Sequence, residues 1–129
     1  MGALEEIRDF VNAGPPGELR EAIRVLLRAN NGIDDGVEAA SRTLDAASRR
    51  AHLRVGFDGG ALTFEADQRV LAAVAEAMAD GSWTRLKACR ADDCKWAFID
   101  TARNRTRIWC DMAVCGNRAK ARRYRNRHA

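Results

Sequence analysis

The sequence predicts an α+β fold in two parts. Residues 1–84 form a mainly helical body with one small β-hairpin, and residues 85–129 form a four-cysteine segment ending in a basic helix. Three observations predict it. Apolar residues recur every three or four positions in four stretches of the body. The run LRVGFDGGALTFE alternates apolar and polar residues around a turn. All four cysteines fall in the last third of the 129-residue chain.

Leu4, Ile7 and Val11 share one face of a short first helix ending near Asn12, where GPPGE breaks the chain and sets proline near the next helical start. Leu19, Ile23, Leu26 and Leu27 continue at helical spacing until NNG, whose Asn-Gly is a helix stop. A third helix runs from Asp35 to Arg50 with Val37, Leu44 and Ala47 on one side. Leu53, Val55 and Phe57 then alternate with Arg54 and Gly56, DGG turns the chain, and Leu62 and Phe64 alternate with Thr63 and Glu65, which is a hairpin pattern. Asp67 is placed to cap a fourth helix whose apolar stripe is Val70, Val74, Ala77 and Met78, with Gly81 ending it.

The body shows no catalytic constellation, so no catalytic residue is assigned and an enzyme is not expected. A lone His52 opening a strand reads as a surface or hydrogen-bonded side chain rather than a ligand. Glu5, Glu6, Glu18 and Glu21 read as solvated helix faces. DGG is a turn rather than a phosphate cradle, since no helix start follows it closely. No apolar run is long enough to span a membrane, and the acidic start, MGALEEIRDFVNAG, lacks the basic and apolar blocks of a secretory signal, so a cytoplasmic location is expected.

The overall charge of +4 conceals two opposite parts. Residues 1–84 hold nine arginines against fourteen acids, a net of −5; residues 85–129 hold thirteen basic residues against four aspartates, a net of +9. Such a split points to a body plus a module aimed at a polyanion. Arginine far outnumbers lysine, with only Lys87, Lys95 and Lys120 present, which reads as a coding bias.

In a reducing cytosol four thiols suggest metal ligands. Cys89, Cys94, Cys110 and Cys115 are spaced C-x4-C-x15-C-x4-C, so each pair can wrap one edge of a tetrahedron of soft sulfur donors, the geometry zinc prefers. Four occupied positions make one zinc ion structural, with a folding contribution on the order of 10 kcal/mol. Two disulfides and an iron-sulfur centre are the alternatives, because four-residue loops are wider than the usual knuckle. Even with four thiolates around Zn²⁺ the segment keeps a charge of about +7.

In CKWAFID a strand is expected to leave the second cysteine with Trp96 and Phe98 on one face, and Trp109 flanks the third cysteine. These rings are expected to shield the sulfurs rather than stack on bases. From Asp111 the chain has good helix formers, placing Cys115 in the first turns of a terminal helix; Gly116 there suggests a close approach of backbone to metal or partner. Knuckle, strand pair and helix together would form a treble-clef-like finger.

RLKACRADDCKWAFIDTARNRTRIWCDMAVCGNR resembles the zinc finger of the CGNR family, named for the residues that here are Cys115, Gly116, Asn117 and Arg118. The resemblance spans residues 85–127 and rests on the cysteine spacing, Trp96, Arg103-Asn104 and Trp109-Cys110. In that family the finger follows an alanine-rich ABATE domain, and its members are regarded as stress-induced transcription regulators of bacteria. Residues 1–84 look like the later part of such a domain. The resemblance implies that the four cysteines bind zinc and that the basic C-terminal helix contacts nucleic acid. Two departures stand out. The N-terminal region is shorter than the family's, so a small-molecule pocket there would be incomplete or completed by a second copy in a homodimer. Thr101, Thr106 and Ile108 stand where serine and arginine are commoner, which would remove one phosphate contact.

The tail leads to the same partner from its residues alone. On a helix Arg118, Arg122 and Arg125 line one side and Lys120, Arg123 and Arg127 another, with Tyr124 between and no acid among them. Like charges four apart cost a few tenths of a kcal/mol each, which a polyanion would relieve. Arg103, Arg105 and Arg107 add a second basic strip between the cysteine pairs. DNA is therefore the expected partner. RNA binding, or a finger serving as a structural cap or protein-docking surface, are the rival readings.

Overall fold

A computed structural model describes residues 2–127. Five α-helices and two antiparallel two-stranded sheets make the α+β fold that the sequence predicts. In order they are α1 (Ala3–Asn12), α2 (Glu18–Ala29), α3 (Val37–Arg50), β1 (Arg54–Asp58), β2 (Ala61–Glu65), α4 (Arg69–Asp80), β3 (Leu86–Ala88), β4 (Ala97–Ile99) and α5 (Asn117–Arg127). A 3₁₀ turn over Ser82–Arg85 precedes β3, and a π turn over Met112–Gly116 precedes α5.

The helical stripes bury as their spacing requires. Ile7 and Val11 of α1, Ile23 and Leu27 of α2, Ala47 of α3, and Val70, Leu71, Ala73, Val74 and Ala77 of α4 form one continuous core. α1 packs on α4, and α2 on α3. At the end of α4, Gly81 takes the left-handed conformation (φ 84°) that a side chain would resist, and it turns the chain towards β3. Leu86 and Ala88 of β3 and Ala97 of β4 enter this same core. The cysteine segment is therefore continuous with the body.

Several expectations need correction. Asp67 does not cap α4: Gln68 is the residue before the helix and no side chain caps it. The Asp67 carboxylate instead accepts from His52 Nδ1 at 2.8 Å and lies 3.7 Å from Arg54, so its oxygens are taken up by these two side chains rather than by the helix start. Met78 is not in the stripe. It stands about 100° round the helix from buried Ala77 and is half exposed. The first hairpin forms in the register Val55↔Phe64 and Phe57↔Leu62, so these four side chains share one face. On that face Val55, Phe57 and Leu62 are open to solvent, Phe57 at 81% exposed, and Phe64 is half-buried.

Candidate metal centre and basic surface

The second hairpin builds one half of the centre. β3 pairs with β4 from Leu86↔Ile99 to Ala88↔Ala97, and the loop between them carries Cys89 and Cys94. Cys89 N donates to Trp96 O at 2.8 Å, and Cys94 N and Lys95 N both donate to Ala91 O, which folds the loop into a tight turn closed by Lys95 at φ 55°. The other half comes from the chain after β4. Asp111 caps the π turn: its carboxylate accepts from Ala113 N at 2.8 Å and its carbonyl from Cys115 N at 2.8 Å. This cap places Cys115 in the π turn, two residues before α5 begins, and not in the first turns of the terminal helix as expected, because the chain makes a π turn there before the α-helix starts.

The four Sγ atoms all lie within 4.8 Å of one another. Cys94 and Cys110 sulfurs are 3.5 Å apart, and Cys110 and Cys115 sulfurs 3.7 Å. A disulfide needs about 2.05 Å, so these are separate thiols. A tetrahedron with Zn–S bonds of about 2.3 Å places sulfurs about 3.8 Å apart, and the cluster has that size. Cys89 and Cys115 are buried and the other two half-buried, which shields two of the four donors from bulk water. Burial pushes the Cys94 and Cys110 thiols up. Burial also raises Cys115, but a hydrogen bond from Arg118 and those among the cysteines outweigh it and bring this thiol below its ordinary value. A divalent cation among the sulfurs reverses the two upward shifts by stabilising thiolate.

Each residue of the CGNR run has a part. Cys115 is a ligand. A Cβ on Gly116 would press on the Met112 side chain and lie 3.0 Å from Trp109 Cδ1, so these two side chains approach the backbone closely there. Asn117 Nδ2 donates to Ala113 O across the π turn at 3.1 Å. Arg118 bridges the halves, donating to Cys115 Sγ at 3.3 Å and to Asp93 at 2.9 Å.

The aromatic expectation holds for two rings of three. Phe98 and Trp109 pack against the cysteines. Trp96 does not: the chain enters β4 only at Ala97, and the Trp96 ring is 51% exposed beside a groove of about 830 Å³ between α1 and β4.

The nine basic residues assigned to nucleic acid fall into two sets. Arg118 is engaged as described. Arg107 donates to Trp109 O at 2.9 Å and to Cys110 O, and its guanidinium lies 4.7 Å from the Phe98 ring centre. Both are braces of the centre. Arg103, Arg105, Lys120, Arg122, Arg123, Arg125 and Arg127 are exposed. α5 buries none of its residues.

Sequence reasoning missed the groups behind this surface. Lys87 and Asp100 form a buried ion pair at 2.8 Å under the arginine loop. Asn31 donates to Ala88 O and Ile108 O, and Arg24 to Lys95 O, which ties the segment to α2. One signal for Lys87 was present: a lysine between Leu86 and Ala88, in a chain where nearly every other cation is arginine.

A small centre closed by four thiolates, with no open position for substrate, defines a structural zinc finger. The CGNR zinc finger family model matches residues 85–128, and this segment fits one zinc ion on Cys89, Cys94, Cys110 and Cys115. The match covers the C-terminal segment alone. No curated protein matches the chain.

Proposed function

We propose that the chain is a zinc-dependent DNA-binding protein of the bacterial cytoplasm that regulates transcription in a stress response, with residues 1–84 serving as the later part of an ABATE domain. One observation carries the reading. An eleven-residue helix with no buried residue and no acid stands directly on the thiolate centre, and its cations beyond Arg118 face solvent. Such a surface costs intrahelical repulsion and has no function in a core; duplex phosphates would satisfy it. The closed ligand set supports binding rather than catalysis.

Arg107 and Arg118 are occupied, so the phosphate contacts fall to the remaining seven cations. If about four to six of them engage, log K for duplex falls with log salt at a slope of about −4 to −5. Anisotropy titrations of a labelled random duplex over a series of salt concentrations read this slope. A flat response overturns the proposal, and a strong preference for single-stranded or structured RNA at matched salt replaces DNA with RNA.

A further inference from the structure

The loop between β4 and Cys110 carries Arg103 and Arg105, and among the described residues neither guanidinium has an ion pair or a hydrogen bond. Free cations on a free loop would sample many positions. The backbone beneath them is instead held from inside. Lys87 Nζ donates to Asp100 Oδ2 at 2.8 Å, Arg105 O at 2.9 Å and Arg107 O at 2.8 Å, which uses all three ammonium protons. Asp100 is fully buried and also accepts from Ala102 N at 2.9 Å and Arg107 N at 3.0 Å. Between them the two side chains fix four backbone groups of residues 102–107. Arg105 itself sits at φ 56°, a left-handed conformation that this clamp maintains. An arginine at position 87 could not aim three donors from one point at these acceptors.

We infer that Lys87 and Asp100 are positioning residues for a second phosphate contact, in which the loop presents Arg103 and Arg105 at a fixed offset from α5. This rests on the nucleic-acid reading above. Lys87 is only 5% exposed and touches no phosphate itself; it acts through the loop. Preorganisation lowers the ordering entropy that a mobile loop would lose on binding.

The test pairs Lys87→Met with Asp100→Leu, an apolar replacement of the whole ion pair that leaves no stranded charge. Zinc content by elemental analysis stays at one per chain. The salt slope for random duplex falls by about two, each duplex phosphate contact contributing about 0.9. Arg103→Ala with Arg105→Ala then weakens binding in the parent but produces no further loss in the paired variant, whereas Arg122→Ala weakens both equally. A second measurement needs no variant: in the parent, the Ala102 and Arg107 amides exchange hydrogen as slowly as those of β3 and β4. A paired variant that keeps the parental slope, or loop amides that exchange at free-chain rates, overturns the inference alone. A parent with no salt slope overturns the nucleic-acid reading, and the inference with it.

Discussion

Asp100 shows how a single carboxylate organises the finger. Burial pushes its pKa up, but the Lys87 ammonium and the Ala102 and Arg107 amides together hold it below the ordinary 3.8. Asp100→Ala would leave the Lys87 ammonium in a dry socket, a loss of about 3–5 kcal/mol of stability. Urea unfolding midpoints measure it. A depressed folded pKa means the contribution is complete above 3.8 and disappears as pH falls through the lower folded value. The gap between parent and variant therefore stays constant between about pH 5 and pH 7. A gap that narrows across that interval contradicts the assignment. Nothing in the sequence around Asp100 marks it for this role, since ID followed by TARNR reads as a strand end and a basic loop. Its partners lie thirteen residues before it and up to seven after it. The ligands Cys89, Cys94, Cys110 and Cys115 were legible because paired spacing is a local property and thiolate chemistry has few other uses in such a segment.

At the scale of elements, α5 and the helices of the body are stabilised differently. α1 to α4 contain 48 residues and each buries a stripe; α5 contains eleven and buries none. A helix this short is marginal in water without packing, and like charges weaken it further. Its start is held by the π turn, by Asn117 and by Arg118 against Cys115, all of which depend on the sulfurs staying together. Removing zinc with a chelator should therefore melt α5 first. The expected loss of helical ellipticity is the share of eleven residues, with α1 to α4 retained, and duplex binding disappears with it. Far-UV circular dichroism and anisotropy on the same sample check this. Helix loss spread over the whole body would place the metal's influence elsewhere. The helices of the body were legible from periodicity, with boundaries within about two residues, but α5 begins at Asn117 rather than near Asp111, because the π turn over Met112–Gly116 takes up the residues in between. The placement of Trp96 was not, because alternation in KWAF holds only where the strand has begun, and the knuckle keeps Trp96 outside it.

Across the whole molecule, the boundary after Thr84 separates charge more cleanly than it separates structure. Leu86, Ala88 and Ala97 share a core with Ile7, Val11, Ile23 and Leu27. Asn12 mimics a strand edge, donating to Ala97 O and accepting from Ala97 N, both at 2.9 Å, and Asn30 donates to Trp83 O and Leu86 O. A fragment of residues 85–129 would expose those apolar faces and lose these partners. It should bind zinc at least tenfold more weakly than the full chain and show no cooperative thermal unfolding. Competition with a chromogenic chelator and a melting curve test it, and a fragment with full-chain affinity would establish an autonomous finger.

Ligand identity, helical faces, the hairpin turn and the opposed charges of the two parts follow from patterns within a few residues of each other, so they could be read before any fold was known. The sharing of one core by body and finger, the use of Arg107 and Arg118 as braces, the exposure of Trp96 and the socket around Lys87 depend on which distant segments meet. Such meetings are set by the collective packing of α1, α2 and the β3–β4 hairpin, and no local pattern encodes them.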